Sequence, residues 1–177
     1  LDFTEEQLLQ RLQSGDAQAY ADLVARYAAG LRRLAHALTG NASDADDLVQ
    51  QAMIAVIEGI HRFRRDASLK TWLNRVVVFQ ASKLRRSKQV RKADSIELNE
   101  PASSHRTPQQ LLEQKVDVMT MLQTLPAEYR EVLTLRELQG LSYQEIAETL
   151  KIPQGTVESR LFRARAALKE KFKGYLS

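Results

Sequence analysis

Cysteine does not occur in this chain of 177 residues, which excludes disulfides, thiolate metal sites and cysteine nucleophiles together. Proline (4) and glycine (7) are scarce, and aromatic residues make up only 6%. A turn-rich all-β architecture is badly served by that composition, whereas the abundant Ala, Leu, Gln, Glu and Arg favour helices. No apolar run approaches the roughly 18–20 residues of a membrane span. No charged-then-apolar leader opens the chain, so a soluble intracellular protein is expected, and Leu1 in place of Met suggests a trimmed or internal start. Phosphate-binding glycine loops and nucleophile motifs are missing too. His36, His61 and His105 have no ligand spacing around them. Asp44, Asp46 and Asp47 lack the spacing and the glycine of a calcium loop. No metal, no cofactor and no catalysis by this chain are therefore expected.

What is present suffices for folding. Hydrophobic residues form 44% of the chain against 27% charged, enough for a packed core in one medium domain or two small ones. Net charge is +4, but its distribution is more telling than its sum. Between His61 and Lys92 stand eleven basic residues and one acid, Asp66, a net of +10, so the remaining residues total −6. A second stretch, Lys151 to Lys173, holds seven cations against Glu158 and Glu170, or +5. Two separated cationic segments in an otherwise acidic chain match two footprints on a polyanion. A solvated helical face is the other fate of such a charge run.

Helical periodicity runs almost end to end. Thr4-Glu5-Glu6-Gln7 has the form of a capping box and opens a short helix through Gln13. After Ser14-Gly15-Asp16, a helix from Ala17 to Leu38 sets Tyr20, Leu23, Val24, Tyr27, Leu31, Leu34 and Leu38 on one stripe. Gly40-Asn41 ends it. Ser43 is the expected N-cap of the next helix, which has Asp44, Asp46 and Asp47 in its first turn and carries Leu48, Met53, Ile54, Val56, Ile57 and Ile60. A break at Arg64-Arg65-Asp66 precedes a helix from about Leu69 to Arg91. Between Ala93 and Pro108 the periodicity fails, as in a linker, and Thr107-Pro108 with Gln110 marks a new helix start. Helices are expected at Gln109–Thr124, Ala127–Leu138, Tyr143–Leu150 and Gln154–Phe172. The predicted fold is all-α: two small helical domains, residues 1–92 and 109–177, joined by a flexible linker over 93–108.

The last two helices form a helix-turn-helix. Ser142-Tyr143-Gln144-Glu145 caps a short helix, Lys151-Ile152-Pro153 makes the turn, and the longer helix carries Val157, Leu161, Ala164 and Leu168 inward. Its other faces present Thr156, Glu158, Ser159, Arg160, Phe162, Arg163 and Arg165. In such a motif the second helix enters the major groove by its N-terminal residues. Arginine suits guanine O6/N7 and phosphates, Glu158 suits cytosine N4, and Phe162 suits a thymine methyl group. An ordinary helical hairpin with a charged exterior is the alternative. Upstream, Phe63, Arg64, Arg65, Ser68, Lys70, Thr71, Trp72 and Arg75 mix aromatics, cations and hydroxyls near a helix start, as in sites for unpaired bases. Trp72 also shares a face with Val76 and Phe79 at core spacing, so a packing role for it stands beside the stacking one.

In order and spacing these pieces resemble bacterial sigma factors of the extracytoplasmic-function (ECF) class over nearly the whole chain. The most specific stretch runs from Leu125-Pro126 through Leu168, including Gly140-Leu141-Ser142-Tyr143-Gln144-Glu145-Ile146-Ala147 and the segment Gly155 to Arg165. Asp44 to Gln51 and Phe63 to Arg75 resemble the class's polymerase-binding and promoter-melting segments. The resemblance implies sigma region 2 over 1–92, with core RNA polymerase docked through Asp47, Leu48, Gln50 and Gln51 on its β′ clamp coiled coil. It implies −10 recognition and melting by Phe63, Arg64, Arg65, Ser68, Lys70, Thr71, Trp72, Arg75 and Lys83. It further implies sigma region 4 over 109–177, contacting the β flap and reading the −35 element through Thr156, Glu158, Ser159, Arg160, Phe162, Arg163 and Arg165. The expected partners are core polymerase, promoter DNA and a cognate anti-sigma factor, often membrane-anchored, for a protein of the cytoplasm. Departures from the usual pattern are Arg65 for Gly, Gln51 for Glu, Phe79 for Asn, Lys83 for Asn or Asp, and Glu158 for a cation. The competing reading is an autonomous helix-turn-helix regulator with an N-terminal sensor or dimerisation domain.

Overall fold

A computed structural model describes residues 3–94 and 118–173. The linker, the Thr107-Pro108 helix start and the helix expected from Gln109 up to residue 117 lie outside the described residues. Among those described, every regular element is a helix: α1 (Glu5–Gln13), α2 (Ala17–Thr39), α3 (Ala42–Gly59), a 3-10 turn (Ile60–Arg62), α4 (Leu69–Asp94), α5 (Val118–Gln123), α6 (Ala127–Glu137), α7 (Tyr143–Leu150) and α8 (Gln154–Lys171).

Local chemistry sets the helix ends. Thr4 and Gln7 cap each other reciprocally at the start of α1, and Ser142 and Glu145 do the same for α7. Gly40 closes α2 in the left-handed region at φ 83°, which favours glycine, and a Cβ there would come within 2.8 Å of the end of the Gln123 side chain. The next helix starts two residues earlier than the sequence suggests. Asn41, extended and directly after Gly40, accepts from the Asp44 N–H at 2.7 Å, so Asn41 rather than Ser43 is the N-cap.

The amino-terminal unit packs α1 to α4 around Leu8, Leu12, Leu23, Leu34, Leu48 and Leu73, all essentially inaccessible. Val24 leaves the predicted stripe and stands 47% exposed. The Glu5 carboxylate accepts from the Tyr27 hydroxyl at 3.0 Å and from the Leu69 N–H at 2.8 Å, tying α1 to α2 and α4. Burial, then the neighbouring Glu5 charge, push the Tyr27 hydroxyl up to about 12. The carboxy-terminal unit packs α6, α7 and α8 around Val132, Leu135, Ile146, Val157 and Leu161. The two units lie against each other, α6 on α2 and α7 on α4, and their apolar residues form one continuous core.

Candidate nucleic-acid and polymerase interfaces

Three buried residues orient α8. Val157, Leu161 and Ala164 are at most 1% exposed, at spacings of four and three, and they leave the opposite face in solvent. That face carries Glu158, Ser159, Phe162 and Arg163, with Phe162 74% exposed; Thr156 and Arg160 are half-buried at its margins. Glu158 accepts from the Gln154 amide at 3.1 Å, and the Ser159 hydroxyl donates to Thr156 O at 3.0 Å. Arg165 is otherwise engaged. Its guanidinium meets Glu137 at 2.7 Å, and Glu137 first, then Tyr143, raise its pKa. It braces α8 against α6.

The basic segment of the amino-terminal unit is less open than its sequence suggests. Phe63 is only 8% exposed and its ring lies 5.1 Å from that of Trp72, tilted by 44°. Trp72 is half-buried and backs onto Gly59, where a Cβ would come within 3.4 Å of the indole. The packing reading of Trp72 therefore holds in this conformation, and Phe63 joins it. Arg64, Lys70 and Lys83 are exposed, and Arg65, at φ 60°, pairs with Glu6 at 3.0 Å. Ser68 accepts from the Thr71 N–H at 3.0 Å and caps α4. Its hydroxyl lies 2.8 Å from that of Thr71, which in turn donates to Glu145 Oε1 at 2.8 Å. Thr71 is fully buried. Arg75 is half-buried, and its Nε has no hydrogen-bond partner.

Glu145 thus joins the two units. Its carboxylate also accepts from the N–H and hydroxyl of Ser142, both at 2.8 Å. The Ser142 N–H first, then Thr71 and the Ser142 hydroxyl, hold its carboxyl below the usual glutamate range against the opposing effect of burial. Four further contacts cross the same junction. Gln139 donates to Gly30 O at 3.0 Å, Gln123 to Ala37 O at 2.7 Å, and Arg130 to Leu38 O at 3.2 Å, while Arg85 pairs with Glu131 at 2.8 Å. Burial and the nearby Arg85 charge lower the Arg130 pKa.

On α3, Asp47, Gln50 and Gln51 are exposed on one face, as the sequence implies. Leu48 is a correction: at 2% exposure it belongs to the core beside Ala45, Ala52 and Val56, so its side chain presents nothing to a partner. Ile54 (50%) and Ile57 (46%), read from sequence as part of the helix's apolar set, continue the exposed face instead. A helical-wheel count would have found them, because Leu48, Ala52 and Val56 fix the inward direction and positions 50, 54 and 57 point away from it. Asp44 is bound to Lys88 and Asn41, which hold its carboxyl low, and Asp46 meets Arg32 at 2.7 Å. Among the described residues Asp47 has no ion-pair partner, and no group of three or more potential ligands is placed to hold a metal ion.

Comparison with known proteins converges with this geometry. The Sigma-70 region 2 family model matches residues 23–91, and the Sigma-70, region 4 model matches residues 115–168. The RNA polymerase sigma-H factor of Pseudomonas aeruginosa is 34% identical over 176 residues, covering 93% of this chain and 91% of that protein. The ECF RNA polymerase sigma-E factor of Escherichia coli is 34% identical over 180 residues, covering 95% and 94%. Among solved structures, CnrH in complex with the cytosolic domain of CnrY is similar at a TM-score of 0.73 and 26% identity, over 97% of this chain and 98% of that one. The sigma factor RpoE in complex with the anti-sigma factor NepR, from Bartonella quintana, has a TM-score of 0.74 at 24% identity, over 89% and 98%, which shows a shared fold. An autonomous regulator is not favoured by matches that span both units. The chain belongs to the ECF class of RNA polymerase sigma factors: it is an alternative sigma factor that directs promoter-specific transcription initiation.

Proposed function

We propose that this sigma factor divides its work between residues 1–92 as region 2 and 109–177 as region 4, with 93–108 as the strap. Region 4 reads the −35 element through the solvent face of α8: Glu158, Ser159, Phe162 and Arg163, with Thr156 and Arg160 at the edge. Arg165 acts mainly by holding that helix in place. Region 2 reads and opens the −10 element through Arg64, Arg65, Ser68, Lys70, Thr71, Arg75 and Lys83, with Phe63 and Trp72 supporting the segment from behind. The α3 face of Asp47, Gln50, Gln51, Ile54 and Ile57 docks on the β′ clamp coiled coil, and region 4 also meets the β flap. An apolar pair ringed by uncharged amides suits a protein interface. The chain supplies no reacting group; bond formation belongs to the polymerase, in the cytoplasm. A cognate anti-sigma factor is the expected captor, and the similar sigma factor RpoE of Bartonella quintana is in complex with one, NepR.

The arrangement described here is a closed one. Thr71 is fully buried and hydrogen-bonded to Glu145 of α7, so its own use on DNA requires α7 to leave α4. The observation that carries the reading is the opposition on α8 of a buried apolar stripe and an exposed face of Glu158, Ser159, Phe162 and Arg163. Run-off transcription with core polymerase over a randomised promoter library tests it. Enrichment of two separated elements is expected, with alanine at Arg163 shifting only the upstream one. Tight binding of the isolated chain to duplex DNA, with no effect on core polymerase, would overturn it.

A further inference from the structure

Between the two regions runs a cleft of about 700 Å³, and of its lining residues only Arg75 has a promoter role above. One wall is α4, and the other is the end of α7 with the turn that follows it. Its size falls within the range of small-molecule sites, about 300–1,000 Å³. Phe79 stands in it 61% exposed, with no aromatic or cationic group stacked on its ring among the described residues. Arg75, Arg86 and Lys151 line the cleft, and none of them has a carboxylate partner among the described residues. Glu131, the carboxylate on its border, is committed to Arg85 at 2.8 Å.

Two buried polar atoms on these walls lack a hydrogen bond. They are Arg75 Nε on α4 and Thr149 Oγ1 on α7, and Thr149 as a whole is only 5% exposed. Both atoms are enclosed by protein, so the cleft offers a ligand its aromatic face and its cations instead. An unstacked aromatic face asks for a planar partner and three unpaired cations for an anion. A nucleobase carrying phosphate satisfies both demands.

We propose that this cleft is a binding site for a free nucleotide. The base stacks on Phe79 against the wall that carries Thr149, while the phosphates meet Arg75, Arg86 and Lys151. Because Thr149 and Lys151 belong to one region and Phe79, Arg75 and Arg86 to the other, the complete site exists only in the closed arrangement. A bound nucleotide therefore shifts the population toward that arrangement. The inference goes beyond the promoter reading and does not depend on it, since binding is measured on the chain alone.

Titration of the full chain with mant-labelled ATP and GTP, and calorimetry with unlabelled ATP and GTP, test this at 150 mM salt. Saturable binding of at least one nucleotide with one site per chain is expected, at least tenfold tighter than binding of adenosine, guanosine or inorganic pyrophosphate. Phe79→Ala and Lys151→Asn should each weaken it at least tenfold; asparagine tolerates the left-handed backbone of residue 151 (φ 55°). Arg86→Gln should weaken it severalfold without lowering the melting temperature, because this exposed side chain has no ion-pair partner among the described residues. The proposal is overturned by absence of saturable binding to both nucleotides, or by equal affinity for pyrophosphate. It is also overturned if Lys151→Asn is silent while Phe79→Ala weakens nucleotide and single-stranded oligonucleotide alike, which would leave only a strand-binding surface on α4.

Discussion

Thr71 and Glu145 stand 74 residues apart in sequence and share one hydrogen bond, the Thr71 hydroxyl donating to Glu145 Oε1 at 2.8 Å. Glu145 is at the same time the third residue of the α7 capping box. One carboxylate therefore completes a local helix start and fastens region 4 over the helix assigned to promoter opening. The bond is short, buried on the threonine side and made to a charge, which places it among the stronger hydrogen bonds of the junction.

Thr71→Val removes that bond and leaves the capping box intact. The junction should lose about 1.5–3 kcal/mol, the range for a hydrogen bond to a charged group. Small-angle scattering should register a larger radius of gyration for the variant, with helical content unchanged by circular dichroism. An unchanged radius would mean that the other junction contacts hold the regions together unaided.

Acid should loosen the molecule through the same group. The Glu145 carboxyl is held below its ordinary value by the Ser142 N–H and by Thr71, so its stabilisation is fully present above the unfolded glutamate value, about 4.3. It is lost as pH falls through the lowered native value. Asp44 behaves in the same direction through Lys88 and Asn41. Thermal stability should be flat with respect to these two groups between about pH 6 and 8 and fall below about pH 4.3. In Glu145→Gln part of that acid slope should vanish, which a series of melting curves across pH would detect.

Two arginines on α8 should separate by function. Arg163 is exposed and free of carboxylates, so Arg163→Ala should weaken promoter binding and reduce the salt slope by about 1. Arg165 is spent on Glu137, and Arg165→Ala should leave the slope nearly unchanged and cost at most about 1 kcal/mol of stability. Holoenzyme–promoter binding across a salt series distinguishes them; equal slopes for the two variants would contradict the assignment.

The docking face gives a second contrast. Ile54→Asp and Ile57→Asp should lower affinity for core polymerase at least tenfold, with the melting temperature retained, because both side chains are about half exposed. Leu48→Ala should instead cost about 2–5 kcal/mol of folding stability, as core truncations do, and affect binding only through the fraction folded. Competition against an unmodified sigma factor for core polymerase, read beside unfolding curves, checks both.

Much of this was legible in the chain itself. Capping boxes at Thr4 and Ser142, the glycine stop at Gly40 and the helix-turn-helix depend on interactions within four residues, and each forms where its residues stand. The N-cap at Asn41 was missed because Ser43 and Asn41 are both good caps. The choice fell to the backbone, which leaves Gly40 already extended at Asn41. The segments around Phe63 and Leu48 imply presented side chains, yet both residues lie in the core. Position within a functional segment does not tell which way a side chain faces until the packing partners, Trp72 for one and the inner surface of α3 for the other, are in place.

The sequence by itself determined the helices, the division into two units, the placement of positive charge and the family, because each rests on local spacing or on order along the chain. Tertiary structure alone decided that the units close on each other, that Thr71 is covered by α7, and that Phe79, Arg75, Thr149 and Lys151 face one cleft. Those relationships join residues far apart in the chain, Thr71 and Glu145 by 74 positions and Phe79 and Thr149 by 70. They follow from which surfaces bury one another, a choice no local periodicity encodes.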